Sequence, residues 1–151
     1  MKPGKAPGSR RRERGNAILE FAIGSGVLIL VFAGVFQFGY AFYIYNNLLA
    51  AVDGGAKYAA VRTYDSGSTT PSAAFSTAVK NMVVYGQSTA GTKPIAPGLQ
   101  TSKVSLAVTF DNNVPATVQV SLNSYPLNAV FTTFTLSKPV VTYPFMGTYA
   151  P

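Results

Sequence analysis

The chain changes from basic to apolar at GNAILEF, residues 15–21. Before Gly15 lies a leader rich in arginine, proline and glycine, and after Glu20 no charged side chain occurs for 32 residues, until Asp53. About 20 apolar residues cross a bilayer as a helix, so this run is long enough to span one. A carboxylate at the centre of a membrane helix costs about 2.5–3.5 kcal/mol, and less near an end. We therefore expect Glu20 to have a partner.

The composition of the 151 residues excludes most catalytic chemistry. The apolar fraction is 48% and the charged fraction 11%, which is typical of a membrane-anchored or polymerising protein. The absence of Cys and His excludes disulfides, thiolate nucleophiles, Cys/His zinc sites and imidazole catalysis. The acids Asp53, Asp65 and Asp111 are far apart, and no activating base accompanies the serines and threonines. We expect no enzyme, no cofactor and no metal.

The net charge of +7 is concentrated in the leader, whose first 15 residues carry +5. A basic arm could bind nucleic acid. Placed directly before a spanning segment, it more simply keeps the N-terminus in the cytoplasm. The remaining lysines are too dispersed to predict a nucleic-acid groove, so we expect no nucleic-acid partner.

Residues 17–45 form the predicted spanning segment, and phenylalanines and tyrosines cluster over 36–45 like the aromatic belt of a membrane interface. A secretory signal peptide would resemble this region, but its apolar core would be only 7–15 residues long. Apolar residues repeat at three- and four-residue spacing from Asn46 to Arg62, so the helix is expected to continue to Arg62. Gly54-Gly55 weakens this stretch, by up to about 1 kcal/mol per glycine.

A short helix is expected in the C-terminal part. Residues 64–70 form a loop rich in serine and threonine, and Thr70 before Pro71 resembles a helix N-cap. Gly86 is the expected stop of this helix. Its apolar face would comprise Phe75, Ala78, Val79, Met82 and Val83, and a loop would follow over 87–98.

The last third alternates polar and apolar residues, which predicts half-buried strands over 103–110 and 117–123. Asp111-Asn112-Asn113 between them predicts a hairpin turn. A third strand is expected over 132–141, at an edge because Pro139 interrupts it. The expected fold is α+β, with the long helix packed against a small antiparallel sheet and one short helix. The expected organisation is a disordered, basic cytoplasmic leader (1–15), a transmembrane and extended helix (16–62) and an exported α+β region (63–151).

Residues 10–62 resemble TadE-like proteins of tight-adherence (Flp-type) pilus systems, within the type IV prepilin-like class. The resemblance rests on RGNAILEFA at 14–22, QFGYAFY at 37–43 and DGGAKYAA at 53–60. The β-rich C-terminal tail resembles these proteins only loosely, through SYPL at 124–127. One position departs from the pattern, because Gln37 stands where these proteins often carry an acidic residue.

The resemblance implies cleavage between Gly15 and Asn16 by a membrane prepilin peptidase. Glu20, followed by Phe21, is then the fifth residue of the mature chain. The resemblance implies that Glu20 pairs with the new α-amino group of Asn16, in its own subunit or in a neighbour. The plainer alternatives are a helix-capping Glu20, which the helix dipole favours, and an ordinary leader glycine at Gly15.

Small residues in the spanning segment, Ala22, Gly26, Gly34 and Gly39, would let another helix approach closely. Glycine is also simply frequent in membrane helices. The resemblance implies four partners: the prepilin peptidase, the short major pilin, a sister pseudopilin and the inner-membrane assembly platform.

The function that the resemblance implies is that of a membrane-anchored minor pilin or pseudopilin. It would serve assembly, initiation or tip capping of a Tad/Flp-type adhesive pilus or of a related secretion apparatus. Its N-terminus would be cytoplasmic and its exported region outside the inner membrane. Two alternatives remain. One is an uncleaved single-pass protein with a ligand-binding exported region, and the other is a major filament subunit.

Overall fold

The computed structural model describes residues 7–128 and 133–151, with side chains for residues 15–127 and 133–151. The chain divides into two compact units, Met1–Gly39 and Tyr40–Pro151, and the second is called the head unit below. The elements in chain order are α1 (Pro7–Val61), α2 (Ala73–Tyr85), a 3-10 turn (Thr101–Lys103), β1 (Val104–Asp111), β2 (Val114–Leu122), β3 (Tyr125–Asn128), β4 (Thr133–Leu136) and β5 (Val140–Pro144).

Helix α1 is a single element of 55 residues. Its end at Val61 agrees with the predicted continuation to Arg62. Its start at Pro7 differs from the disordered leader expected before Gly15. Arginine and glutamate, which fill positions 10–14, have high helix propensity, and adding turns to an existing helix avoids the cost of nucleation.

In the first unit, the large apolar side chains of α1 are exposed. Phe21, Leu30 and Phe36 keep 78%, 68% and 75% of their surface accessible. The described residues contain one helical stretch long and apolar enough to cross a membrane, Gly15–Val61, and none of its most apolar window is buried. A contiguous apolar surface of this size needs lipid or another protein around it.

In the head unit, α1 supplies one wall of the hydrophobic core. Ile44, Leu48, Val52, Ala56 and Ala59 recur every three or four residues and are at most 2% exposed. This spacing places them on one helix face. The predicted amphipathic extension of the helix is therefore confirmed.

Helix α2 packs beside this face, and its start differs from the prediction. The N-cap is Ser72, whose hydroxyl accepts a hydrogen bond from the Phe75 amide, whereas Thr70 was expected. Gly86 ends the helix in the left-handed conformation at φ 72°, as predicted, and its amide donates to the Met82 carbonyl. Val84 and Asn81 are buried along with most of the predicted face, but Met82 is only half-buried.

The main sheet is antiparallel with strand order β1-β2-β5. The predicted hairpin between β1 and β2 is confirmed, and its two turn residues, Asn112 and Asn113, have φ of 48° and 63°. Positive φ at both central positions matches the right-handed twist of the strands. The inward residues Val108, Val118 and Val120 are at most 5% exposed and complete the core.

The third predicted strand is wrong as a single element. Thr132 lies outside the described residues, and the rest of 132–141 divides into β4, which pairs with β3 in a second sheet, and the start of β5, which pairs with β2. Pro139 lies between them and lacks the amide that a continuous ladder needs. β5 does occupy an edge, and β3 was not predicted.

The α+β fold is thus confirmed. A long apolar N-terminal helix, a short helix and a small antiparallel sheet are all present. The second half of α1, α2 and the main sheet bury their apolar residues in one cluster within the head unit.

Candidate functional site

The first candidate site is the segment around Glu20, in the first unit. Gly15, Asn16, Glu20 and Phe21 all lie in α1 and are all exposed. Residues four apart on a helix are neighbours, with Cβ atoms about 5–6 Å apart, so Asn16 and Glu20 share a face. Among the residues whose side chains the structure describes, Glu20 has no hydrogen bond or ion pair. Its carboxylate is therefore free to pair with a cation that does not belong to the described side chains.

The small residues of the spanning segment leave open space beside α1. A Cβ added at Gly26, Gly34 or Gly39 would meet nothing within 4 Å, and Ala22 is exposed. The structure thus places these four positions on accessible helix surface, where another helix has room to approach. Their role in packing against a partner stays a prediction.

Gln37, the departure from the resemblance, is half-buried. Its Oε1 is buried and has no hydrogen-bond partner among the described residues. Burying an unpaired amide costs much less than burying an unpaired carboxylate. A glutamine is therefore less costly at this position than the acidic residue that the resemblance implies.

The second candidate site lies in the head unit, where the DGGAKYAA motif joins α1 to the sheet. Asp53 accepts a 2.8 Å hydrogen bond from the Tyr143 hydroxyl of β5 and pairs with Lys57 at 2.6 Å. The bonds from Lys57 and then Tyr143 hold the pKa of Asp53 below its ordinary value. The hydrogen bond to Asp53 raises the pKa of both Lys57 and Tyr143. Because the Lys57 side chain is 61% exposed, the ion pair serves orientation more than stability.

The glycine pair of this motif has two different environments. A Cβ on Gly55 would lie 2.2 Å from Val83 Cγ2, whereas a Cβ on Gly54 would meet nothing within 4 Å. Gly55 therefore lets α2 approach α1 closely. Ala56, Ala59 and Ala60, which follow on the same helix, are all at most 1% exposed.

Tyr64, three residues beyond the end of α1, is the centre of an aromatic cluster. Its ring lies 5.1 Å from that of Phe75, 5.8 Å from Phe110, 6.2 Å from Phe145 and 6.4 Å from Tyr149, between centroids. Most of these contacts are edge-to-face, a favourable geometry for aromatic rings. Burial raises the pKa of the Tyr64 hydroxyl, which donates to the Ser68 carbonyl.

The segment after β5 is fixed to the end of α1 by backbone hydrogen bonds. The Tyr64 amide donates to the Thr148 carbonyl at 2.8 Å, and the Ala150 amide donates to the Tyr64 carbonyl at 2.9 Å. Gly147 makes this approach feasible, since a Cβ there would lie 2.3 Å from the Arg62 carbonyl oxygen. Sequence reasoning missed this segment and Tyr143, because nothing local in the sequence indicates their distant partners. It placed Val83 on the apolar face of α2 but did not indicate its contact with Gly55.

These features define a class of protein. It has an apolar helical segment of membrane length and an α+β head unit, and the described residues contain no group of His, Cys, Asp or Glu able to hold a metal. Residues 15–57 match the family model described as TadE-like protein. This match supports a TadE-like, pilus-associated protein and confirms the resemblance. TadE-like pilus-associated proteins are structural rather than catalytic.

The family match begins at Gly15 and ends at Lys57. It therefore includes both candidate sites on α1, the segment around Glu20 and the Asp53–Lys57 pair. No curated protein and no solved structure matches the chain.

Proposed function

We propose that this chain is a minor pilin or pseudopilin of a Tad/Flp-type adhesive pilus or a related secretion apparatus. It is trimmed after Gly15 and acts in assembly, initiation or tip capping. The apolar part of α1 anchors it in the inner membrane, with the basic leader in the cytoplasm and the head unit outside.

The observation that carries this proposal is where the family match starts. It begins at Gly15, the residue after which cleavage is expected, and it continues through the exposed apolar part of α1. A globular protein in water would not keep such a surface uncovered. Lipid before assembly and neighbouring pilin helices after assembly would cover it.

The proposed assembly contact is an ion pair made by the carboxylate of Glu20. Cleavage would create an α-amino group on Asn16, which is four residues from Glu20 and on the same helix face. An ammonium–carboxylate pair is much stronger in a low-dielectric setting than in water. The amine of the same subunit or of a neighbour would neutralise Glu20, and pairing with a neighbour would set the axial register.

The same chemistry indicates the partners. A prepilin peptidase would cut the leader, and the major pilin or a sister pseudopilin would pack against the small residues Ala22, Gly26, Gly34 and Gly39. An inner-membrane assembly platform would move the subunit.

The test is Gly15→Ala, followed by N-terminal sequencing and intact-mass measurement of the protein from its own host. Wild type is expected to begin at Asn16, having lost about a tenth of its 15.9 kDa mass, and Gly15→Ala to stay uncut. Gly24→Ala is the matched control, because a Cβ meets nothing within 4 Å at either glycine. A wild-type protein that keeps its leader would overturn the proposal.

A second candidate is an uncleaved single-pass protein with a ligand-binding head unit. One observation favours it: α1 runs from Pro7 through the Gly15–Asn16 bond, so a peptidase must unwind a helical turn. The same N-terminal sequencing separates the two candidates.

A further inference from the structure

A cavity of about 400 Å³ lies in the head unit, between α1 and the loop after α2. The helix lines it with two aromatic rings and an amide, and the loop adds one cation and apolar groups. The main lining residues are Tyr40, Tyr43 and Asn47 from α1, and Lys93, Ile95 and Pro97 from the loop.

The loop that carries Lys93 is held in place from both sides. The Ile95 amide donates to the Val84 carbonyl at 2.8 Å, and the Tyr125 hydroxyl donates to the Pro97 carbonyl at 2.6 Å. Ala96 is fully buried, whereas Ile95 keeps 41% of its surface exposed and Lys93 is also exposed. The loop therefore presents a cation and an apolar side chain from a fixed backbone.

Lys93 has no ion pair among the residues that the structure describes. Two acids of the head unit are engaged elsewhere, Asp53 with Lys57 and Tyr143, and Asp65 with the Ser72 hydroxyl at 2.6 Å. The cavity thus offers a positive charge beside aromatic surface, and its complement is an anion with an apolar body.

The position along α1 indicates where such an anion would come from. Tyr40 directly follows the exposed apolar segment that ends at Gly39, and α1 continues through both without a break. Tyr40 and Tyr43 keep 47% and 62% of their surface exposed. Exposed tyrosines at the end of a spanning segment are typical of the headgroup level of a bilayer.

We propose that this cavity binds the phosphate headgroup of an anionic phospholipid. Lys93 contacts the phosphate, Tyr40 and Tyr43 lie along the glycerol region, and Ile95 meets the first methylenes of the acyl chains. The inference rests on the membrane anchoring in the proposed function, and it is independent of cleavage after Gly15. Such a site would hold the loop that carries Lys93, and Tyr40 of α1, at a fixed depth relative to the bilayer surface.

The test measures lipid retention by the full chain in detergent micelles, using native mass spectrometry with added phosphatidylglycerol or phosphatidylcholine. Wild type is expected to retain phosphatidylglycerol in preference. Lys93→Gln should weaken that retention about fivefold, the effect of one lysine at an anionic surface. Lys80→Gln is the matched control, because Lys80 lines a different cavity of about 300 Å³ without aromatic residues. Both variants keep the basic leader.

Four results would overturn the inference. Equal retention of the two lipids, or equal loss in Lys93→Gln and Lys80→Gln, would mean that no specific headgroup site exists. Competition by millimolar inorganic phosphate would indicate a general anion site. If Lys93→Gln retained lipid normally but no longer bound a pilin partner, the cavity would be a protein-contact surface and not a lipid site. A chain that does not enter membranes at all would instead contradict the proposed function.

Discussion

Tyr143 donates a 2.8 Å hydrogen bond to Asp53, joining two residues that lie 90 positions apart in the sequence. Asp53 lies in α1 and Tyr143 in β5, so this bond connects the helix to the edge strand of the main sheet. Lys57, one helical turn after Asp53, holds the second carboxylate oxygen. The acidic and basic residues of the DGGAKYAA motif thus position the sheet on the helix.

Asp53 is expected to make stability depend on acid pH. Its folded pKa is lowered by hydrogen bonds from Lys57 and Tyr143, so its contribution is present above the unfolded value of about 3.9 and is lost as the pH falls through the folded value. The Tm advantage of wild type over Asp53→Asn should therefore shrink as the pH falls below about 4. Thermal scans in detergent from pH 7 to pH 3 measure it. Asp111→Asn, in the exposed hairpin, is the control, and a constant difference across the scan would contradict the prediction.

The two glycines of the motif should respond in opposite directions to alanine. Gly54→Ala gains helix propensity without a clash and should stabilise by up to about 1 kcal/mol. Gly55→Ala places a methyl group 2.2 Å from Val83 Cγ2 and should destabilise by about 1–3 kcal/mol. Urea unfolding of the full chain measures both. Gly55→Ala combined with Val83→Ala should recover part of the loss, and equal effects of the two single changes would refute the packing argument.

Ser72 and Thr70 provide a test of the helix start. Ser72→Ala removes the hydroxyl that accepts from the Phe75 amide and donates to Asp65, and should cost about 1 kcal/mol. Thr70→Ala removes no cap and should leave the free energy of unfolding nearly unchanged. A larger loss in Thr70→Ala would restore the cap position predicted from the sequence.

Gly147 should tolerate no side chain. An alanine methyl would lie 2.3 Å from the Arg62 carbonyl oxygen and would push the segment after β5 away from Tyr64. Hydrogen exchange should then speed up at the Tyr64 and Ala150 amides, which the contact protects. Gly67→Ala is the control, because its nearest neighbour, Pro151 Cβ, is 3.8 Å away. Unchanged exchange in Gly147→Ala would show that the segment is not held by this contact.

Glu20→Gln should abolish incorporation into the assembled pilus without preventing membrane insertion. Removing one partner of a charge pair in a low-dielectric setting costs about 3–5 kcal/mol, so the incorporated amount should fall by more than about tenfold. Immunoblots of sheared pili and of membranes measure the two pools. Glu13→Gln is the matched control, since Glu13 lies on the leader side of Gly15. Normal incorporation of Glu20→Gln would remove the assembly role of this carboxylate.

The regular elements were predictable because their signals are local. The three- and four-residue spacing after Asn46 predicted the second half of α1, and Gly86 marked the end of α2. The start of α2 was misplaced because Thr70 and Ser72 are both good capping residues within three positions. The division of residues 132–141 was not predicted, because Pro139 was expected to interrupt one edge strand. It lies instead in the gap between β4 and β5, which pair with different strands.

The contacts that position the head unit were not predictable from one sequence. Nothing near Asp53 indicates Tyr143, and nothing near Gly55 indicates Val83, because these pairs exist only after the chain folds back. Glu20, in contrast, was indicated by the charge pattern, and the roles of Gly15 and Glu20 were implied by the family resemblance. Both lie on exposed helix, and their roles in cleavage and assembly stay predictions.

The contact between Tyr64 and Tyr149 has a consequence for biogenesis. In a chain exported with the proposed topology, the end of α1 would emerge from the membrane long before the residues that close over it. Tyr64 would stay exposed to water until residues 145–149 emerged. The core around Tyr64 therefore could not fold before the C-terminal segment was available. If that topology holds, a nascent chain arrested ahead of β5 should be a good substrate for extracytoplasmic chaperones and proteases.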